Sequence, residues 1–400
     1  MCKIISINLK NFKCFREDEI DIGNLTILTG LNGMGKSSVI QALLLLRQSF
    51  GLSFQRSRRL KLNGDLIELG TGADVFFDLA EDDDLSLGYD FVDSRGQIMR
   101  SKFNYAYDRN SDSLKPSGST RIFNNRLDFI WDENSNDWVP VDTHDVFQSP
   151  PIFSSRGFQY LSAERLGPRK MLPSSEEHVR NNQIGAQGEF VLGLLSRPSD
   201  GLLNEADPRL HIDGSSSSLR AQVEAWLQEV SPGTRIEIGS YSEIDAFTSR
   251  YSFERKRDVP SKPFRSTNVG FGISYVLPVL VSLLSARPGD LVIIENPEAH
   301  LHPRGQTRLG QLAAQTSAAG VQVIIETHSD HFLDGVRISA KERKCDPDDV
   351  EIHYFTRFGS EAAVISPDLQ EDGRLSEWPE GFFDERDFNI ARLLTPISGK

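Results

Sequence analysis

The chain has 400 residues, 38% hydrophobic and 25% charged, an ordinary globular balance that predicts a sizeable core in one large domain or a core with insertions. A formal net charge of -13 argues against indiscriminate nucleic-acid binding, which phosphate neutralisation drives. Local basic clusters (Arg56, Arg58, Arg59 and Lys61; Arg165, Arg169 and Lys170; Arg255 to Arg257) leave room for a basic groove.

The N-terminus alternates like a strand through Ile4, Ile7 and Leu9 and lacks the apolar core of a signal peptide. A second strand, Leu25 to Leu28, ends in Thr29-Gly30, and a helix with apolar spacing at Val39, Leu43 and Leu46 starts at Ser37. Residues 60–150 show short alternating stretches (Leu85 to Phe91, Arg121 to Phe123, Leu127 to Trp131) between Asp, Asn, Ser and Gly turns, which predicts an antiparallel β region. Residues 171–265 read as a helical and β insertion, with helices over Gln183 to Leu195 and Ser217 to Val230 and strands over Arg235 to Ile238 and Ala246 to Glu254.

From residue 266 to 366 the rhythm is regular. Strand Leu291 to Ile294 precedes a helix after Pro303, and strand Val321 to Ile325 precedes a helix from Asp330. Strands Glu351 to Thr356 and Ala362 to Ser366 follow. Such alternation predicts an α/β fold with a parallel, helix-covered sheet. There is no internal repeat and no long heptad tract. The longest apolar run, Tyr275 to Leu284, is too short to span a bilayer, and Cys2, Cys14 and Cys345 have neither metal-ligand nor disulfide spacing. A cytoplasmic protein with no membrane partner is expected.

The strongest motif is Gly30-Leu-Asn32-Gly33-Met-Gly35-Lys36-Ser37, a Walker A loop between a predicted strand and a predicted helix. Its glycines let backbone N–H groups, with those at Asn32 and Ser38, curl around phosphate, and the helix N-terminus adds a favourable dipole. Lys36 is expected to bridge the β- and γ-phosphates of ATP, and the Ser37 hydroxyl to ligate Mg²⁺.

The second motif is the apolar strand Leu291-Val-Ile-Ile294 ending in Glu295-Asn296-Pro297-Glu298, a Walker B arrangement in which Glu295 serves Mg²⁺. ABC-type ATPases usually follow that acid with a water-activating glutamate. Asn296 stands there and cannot take a proton, so Glu298 is the nearest substitute base and hydrolysis is expected to be slow. After the next apolar strand, Glu326-Thr327-His328-Ser329 offers His328 as a γ-phosphate contact. Asn268-Val-Gly270-Phe-Gly272-Ile-Ser274 precedes a predicted helix and provides a second anion site at Gly270, Gly272 and Ser274, positioned as the signature that completes a partner subunit's ATP site.

These elements resemble the RecF/OLD-like branch of ABC ATPases. Tyr160-Leu-Ser-Ala-Glu-Arg-Leu-Gly-Pro168, Gly270-Phe-Gly-Ile-Ser274 and Trp378-Pro-Glu-Gly-Phe-Phe-Asp384 further resemble the DUF3696 ATPases. The resemblance implies an ABC/SMC-type P-loop head with an antiparallel β lobe and a helical insertion, forming head-to-tail dimers around ATP and Mg²⁺. Related ATPases include the PtuA subunit of Septu, the AriA subunit of PARIS and retron-associated ATPases. That kinship implies a sensor or scaffold subunit of a prokaryotic anti-phage complex, with a nuclease or toxin effector on a separate polypeptide. The rival expectation is a RecF-like DNA-repair ATPase that binds DNA directly. An ABC transporter subunit is disfavoured, because the Leu-Ser-Gly-Gly-Gln signature is missing.

Overall fold

The computed structural model describes residues 2–50, 59–117, 119–122, 125–132, 137–140, 151–154, 156–197, 203–254, 261–358 and 361–395. Arg56, Arg58, Phe123 and the cluster Arg255 to Arg257 lie outside these residues. The central sheet has six strands. In spatial order they are Phe158–Leu161, Leu291–Glu295, Gln322–Glu326, Leu25–Gly30, Val350–Phe358 and Glu361–Ile365. The first five are mutually parallel and the last is antiparallel. Parallel strands need crossover helices, and Pro303–Ala318 and Asp330–Lys341 supply two of them.

Both faces of this sheet are buried, so its strands read as continuous apolar runs rather than alternating ones. One face, with Leu25, Ile27, Val292, Ile294, Val323 and Ile325, packs on Phe271–Ser285 and the crossover helices. The other, with Leu28, Ile293, Ile324 and Phe355, packs on the helix Lys36–Phe50. That helix is buried on nearly every side, because a nine-stranded antiparallel sheet contributes Ile7, Leu87 and Phe103 to the same core.

The antiparallel sheet begins earlier than the pattern of residues 60–150 suggests. Its strands Lys3–Phe12 and Phe15–Asp21 come from the N-terminus, and Lys3–Phe12 pairs with Asp84–Val92. The insertion carries the helix Leu219–Val230, capped by Ser218, and the hairpin Thr234–Tyr241 with Ala246–Phe253. The helix expected over Gln183 to Leu195 shrinks to Val191–Leu195. Gly185 and Gly188, at φ of 81° and 82°, adopt the left-handed backbone that a helix cannot hold.

Candidate nucleotide site

The strand Leu25–Gly30 delivers the chain into the phosphate loop, and Lys36 opens the following helix. Gly30 must be glycine. Its φ is 132°, and a Cβ there would sit 2.2 Å from the Phe355 carbonyl oxygen on the neighbouring strand. Gly35, at φ 102°, passes so close to Cys14 and Phe15 that a Cβ would fall 2.7 Å from the Cys14 sulfur. The loop is thus seated on the turn between the first two N-terminal strands. Lys36 Nζ donates to the carbonyls of Gly30 (3.0 Å) and Leu31 (2.8 Å), which holds the ammonium over the loop. Burial lowers its pKa, against the pull of Glu326. Asn32 and Gly33 are exposed at the loop tip. Ser38 is buried, with its N–H on the Gly35 carbonyl (3.0 Å) and its hydroxyl against Cys14.

Alternation along the two central strands decides where their terminal acids point. Glu295 shares the parity of Ile293, and Glu326 that of Ile324, so both face the side on which the phosphate-loop helix lies. The two glutamates are register partners on adjacent parallel strands. Glu326 Oε1 accepts from the Ser37 hydroxyl at 2.9 Å. Burial, reinforced by the charge of Glu295, pushes its carboxyl up to about 7. Glu295 is occupied differently: Oε1 accepts from the Tyr160 hydroxyl (2.9 Å) and Oε2 from the Ala163 N–H (3.3 Å). Burial raises its pKa as well.

The turn after Glu295 is held by Arg165. This arginine is 3% exposed, and donates from Nη1 to the carbonyls of Glu295 (2.7 Å) and Ser162 (3.2 Å) and from Nη2 to that of Asn296. Burial lowers its pKa to about 10. Asn296 has φ 46°, a left-handed conformation that asparagine tolerates better than glutamate. A physical reason for asparagine at this position therefore lies in the backbone. Its N–H donates to the Glu326 carbonyl (2.8 Å), while its Oδ1 is buried with no hydrogen-bond partner.

Glu298 comes back against the end of the strand Gln322–Glu326, with Oε1 accepting from the His328 N–H at 2.7 Å. Its Oε2 is buried with no close hydrogen bond, and desolvation raises its pKa against the opposing pull of the His328 N–H and the Thr327 hydroxyl. Burial and the charge of Lys36 lower the pKa of His328, whose environment includes a backbone hydrogen bond with Gly30. The fold therefore brings Lys36, Ser37, Glu295, Asn296, Glu298 and His328 to one end of the sheet. Glu326, absent from the expected set, joins them.

The second glycine motif lies at the start of the helix Phe271–Ser285, with Gly270 as its N-cap. Gly270 is exposed, and a Cβ there would meet nothing within 4 Å. Gly272 is different: a Cβ would sit 2.7 Å from the His300 carbonyl, so this glycine permits close packing on the Walker B loop. Ser274 is half-buried. Gln159, preceding Tyr160, is buried and donates to Ser285 at 3.2 Å, which puts it on the opposite sheet face from the phosphate loop.

These residues fit a magnesium ion bound with nucleotide. Ser37, Glu295 and Glu326 offer hard oxygen donors, and Glu326 Oε2 is buried with no partner. Among the described residues no three His, Cys, Asp or Glu side chains form a metal cage. Mg²⁺ keeps several waters and phosphate oxygens and takes only one or two protein ligands. When bound, it would neutralise phosphate charge. Among the described residues no helix is long and apolar enough to cross a membrane.

Residues 25–334 match the family described as "AAA domain, putative AbiEii toxin, Type IV TA system", and residues 345–393 match "Protein of unknown function (DUF3696)". No curated protein matches the chain. Solved structures similar to it include an SMC head bound to the C-terminal winged-helix domain of ScpA, at 14% identity and TM-score 0.49, covering 92% of this chain and 98% of that one. The SMC head domain from Thermotoga maritima matches at 12% and 0.43, covering 91% and 98%. The SMC head with extended coiled coil bound to the C-terminal domain of ScpA from Pyrococcus furiosus matches at 12% and 0.49, covering 98% and 100%.

Proposed function

The chain belongs to the AbiEii-type AAA-domain family, and from that premise we propose that it binds ATP with Mg²⁺ on Lys36 and Ser37 and hydrolyses it slowly, as the regulatory subunit of an anti-phage complex. The observation that carries the ATP reading is the glycine loop that sets Lys36 Nζ over its own carbonyls, beside Ser37 and the buried acids. Slow hydrolysis follows from Asn296. General-base help from a glutamate there would contribute roughly 10²–10⁴-fold, and Glu298, tied to the His328 N–H, is the remaining candidate. Slow turnover suits a sensor that stays ATP-loaded until triggered. The defence role and the separate effector rest on the motif resemblance alone. Calorimetry tests the ATP reading: Lys36→Ala is expected to abolish detectable ATP binding while circular dichroism stays unchanged. Equal affinity in the two proteins would sink it.

Two copies are proposed to close head-to-tail, with the exposed Gly270 end of Phe271–Ser285 facing the partner's γ-phosphate. Because Gly272 is a packing position, Gly270 is the place to test this. Gly270→Asp puts a negative charge at that helix terminus without an internal clash, and light scattering is expected to show loss of ATP-dependent dimerisation. The DNA-repair reading gains less support. Of the basic cluster Arg165, Arg169 and Lys170, Arg165 is buried on the Walker B turn, leaving two exposed cations.

A further inference from the structure

The acid nearest the phosphate-loop hydroxyl is not the one that ends the Walker B strand. We propose that Glu326, at the end of the strand Gln322–Glu326, is the principal carboxylate of the divalent-cation site, and that Glu295 sets the geometry of the turn behind it. The inference rests on the ATP reading above and names the residue that serves the nucleotide's metal.

Three independent observations carry it. Ser37, the residue whose hydroxyl the loop offers to a metal, already pairs with Glu326 Oε1 at 2.9 Å. The other oxygen, Oε2, belongs to a side chain that is 6% exposed and has no hydrogen-bond partner. A buried carboxylate oxygen left unpaired costs desolvation energy unless an ion, water or ligand completes it. Glu295 instead accepts a hydrogen bond at each oxygen, from the Tyr160 hydroxyl on the neighbouring edge strand and from the Ala163 N–H just beyond it. The sheet order explains the exchange. Gln322–Glu326 lies directly between the Walker A and Walker B strands, in register with both, so its terminal residue is the nearer neighbour of the phosphate loop.

A cation shared by Ser37 and Glu326 would also relieve two like charges, because Glu295 and Glu326 are register partners on adjacent strands. Tyr160, Ala163 and the Arg165 clamp on the Glu295 and Asn296 carbonyls then make Glu295 a positioning residue. It ties the Walker B turn to the segment that leads into the insertion.

The probe is Mn²⁺, a paramagnetic substitute for Mg²⁺, titrated into protein with ATP and followed by the electron paramagnetic resonance of the free ion. In parallel, calorimetry measures ATP binding in EDTA. Glu326→Gln is isosteric and removes a buried like charge, so the fold is expected to persist with an unfolding temperature no lower than that of wild type. Mn²⁺ affinity in the presence of ATP is expected to fall by about tenfold or more, while ATP binding in EDTA is no weaker. Glu326→Asp, which keeps the charge, is expected to retain more Mn²⁺ affinity than the Gln variant. Glu295→Gln is expected to lose less than Glu326→Gln. If Glu326→Gln bound Mn²⁺ like wild type while Glu295→Gln lost it, the assignment would be overturned. A wild type that bound no ATP would remove the ATP reading and this inference together; wild-type binding with an unaffected Gln variant would remove the inference alone.

Discussion

Two buried polar clusters flank the core of this protein, and they are finished to different degrees. In the insertion, Arg209 is 2% exposed and its guanidinium makes four hydrogen bonds. Nε and Nη2 donate to Asp207 at 2.9 and 2.7 Å, and Nη1 donates to the carbonyls of Leu283 (2.8 Å) and Ala286 (2.7 Å). Those carbonyls belong to the C-terminal end of Phe271–Ser285, where a helix leaves acceptors unpaired and a cation is favoured. Burial alone would raise the pKa of Asp207, yet the bonds from Arg209 outweigh it and the net shift is downward. At the sheet end, by contrast, Asn296 Oδ1, Glu298 Oε2, Glu326 Oε2 and Arg165 Nε are all buried without a partner. No side-chain atom of the Asp207–Arg209 pair is buried without a partner, whereas four at the sheet end are. Unpaired buried groups call for an explanation, and a ligand at the sheet end would supply one.

The largest expected effect breaks the saturated cluster. Arg209→Met leaves the Asp207 carboxylate and two helix-end carbonyls without their donor, and removing one partner of a buried ion pair costs about 3–5 kcal/mol. Urea unfolding should show a loss of that size, with ATP affinity of the folded protein unchanged. A loss below about 1 kcal/mol would mean the cluster is no more structural than a surface pair. The unsaturated cluster should respond in the opposite sense. Glu298→Gln is expected to leave stability near wild type and to lower steady-state phosphate release by roughly 10²–10⁴-fold if Glu298 is the base, with ATP still bound. Wild-type turnover in that variant would exclude Glu298 from the chemistry.

Between these lies Gly272, which packs the helix Phe271–Ser285 on the loop that carries His300. Gly272→Ala drives a methyl to within 2.7 Å of the His300 carbonyl, and overpacking of this kind costs about 1–3 kcal/mol. Gly270→Ala meets open space and is expected to cost less, since only glycine's freedom as an N-cap is lost. Equal losses at the two positions, measured by thermal unfolding, would contradict the packing role of Gly272.

The contrast also explains which parts were legible in the sequence. The phosphate loop and the central strands are local patterns: a glycine spacing, or an apolar run that ends in an acid. Glu326 does not stand out in the sequence, although its strand, Gln322-Val-Ile-Ile-Glu326, reads almost like Leu291-Val-Ile-Ile-Glu295. The repeated run was the available signal. Its meaning depends on the register Glu295 with Glu326, a pairing between segments about thirty residues apart that spacing does not reveal. Arg165 reads as one member of a basic cluster, because a linear cluster says nothing about burial. The Asp207–Arg209 pair was not singled out, since its carbonyl acceptors at Leu283 and Ala286 lie far along the chain. The helix read over Gln183 to Leu195 failed for a local reason, two glycines that punctuate it.

The smallest expected effect concerns pH, where the two kinds of buried group oppose each other. His353 sits in the strand next to the Walker A strand, 2% exposed, with Nδ1 2.7 Å from the Ser366 hydroxyl and Nε2 2.7 Å from the Asp21 carbonyl. Burial lowers its pKa below 6.5, and the Asp21 backbone bond only partly resists. The native state therefore binds this proton less readily than the unfolded chain. Its contribution to stability is complete above pH 6.5 and is lost as pH falls toward the folded value. Glu326 has the reverse sign. Its pKa rises from 4.5 to about 7, so its contribution is complete below 4.5 and is lost as pH rises through about 7. Acidification from pH 8 to 5 should thus strengthen the sheet end while weakening the strand beside it, and the total profile hides both. Comparing wild type with His353→Gln by urea unfolding at each pH isolates the histidine, because the carboxylates are common to both. Wild type is expected to lose stability relative to the variant as pH falls below 6.5, by about 1.4 kcal/mol for each pH unit that separates the folded and unfolded pKa values. Parallel profiles would show that His353 titrates alike in both states, and would leave the Ser366 and Asp21 bonds as ordinary packing.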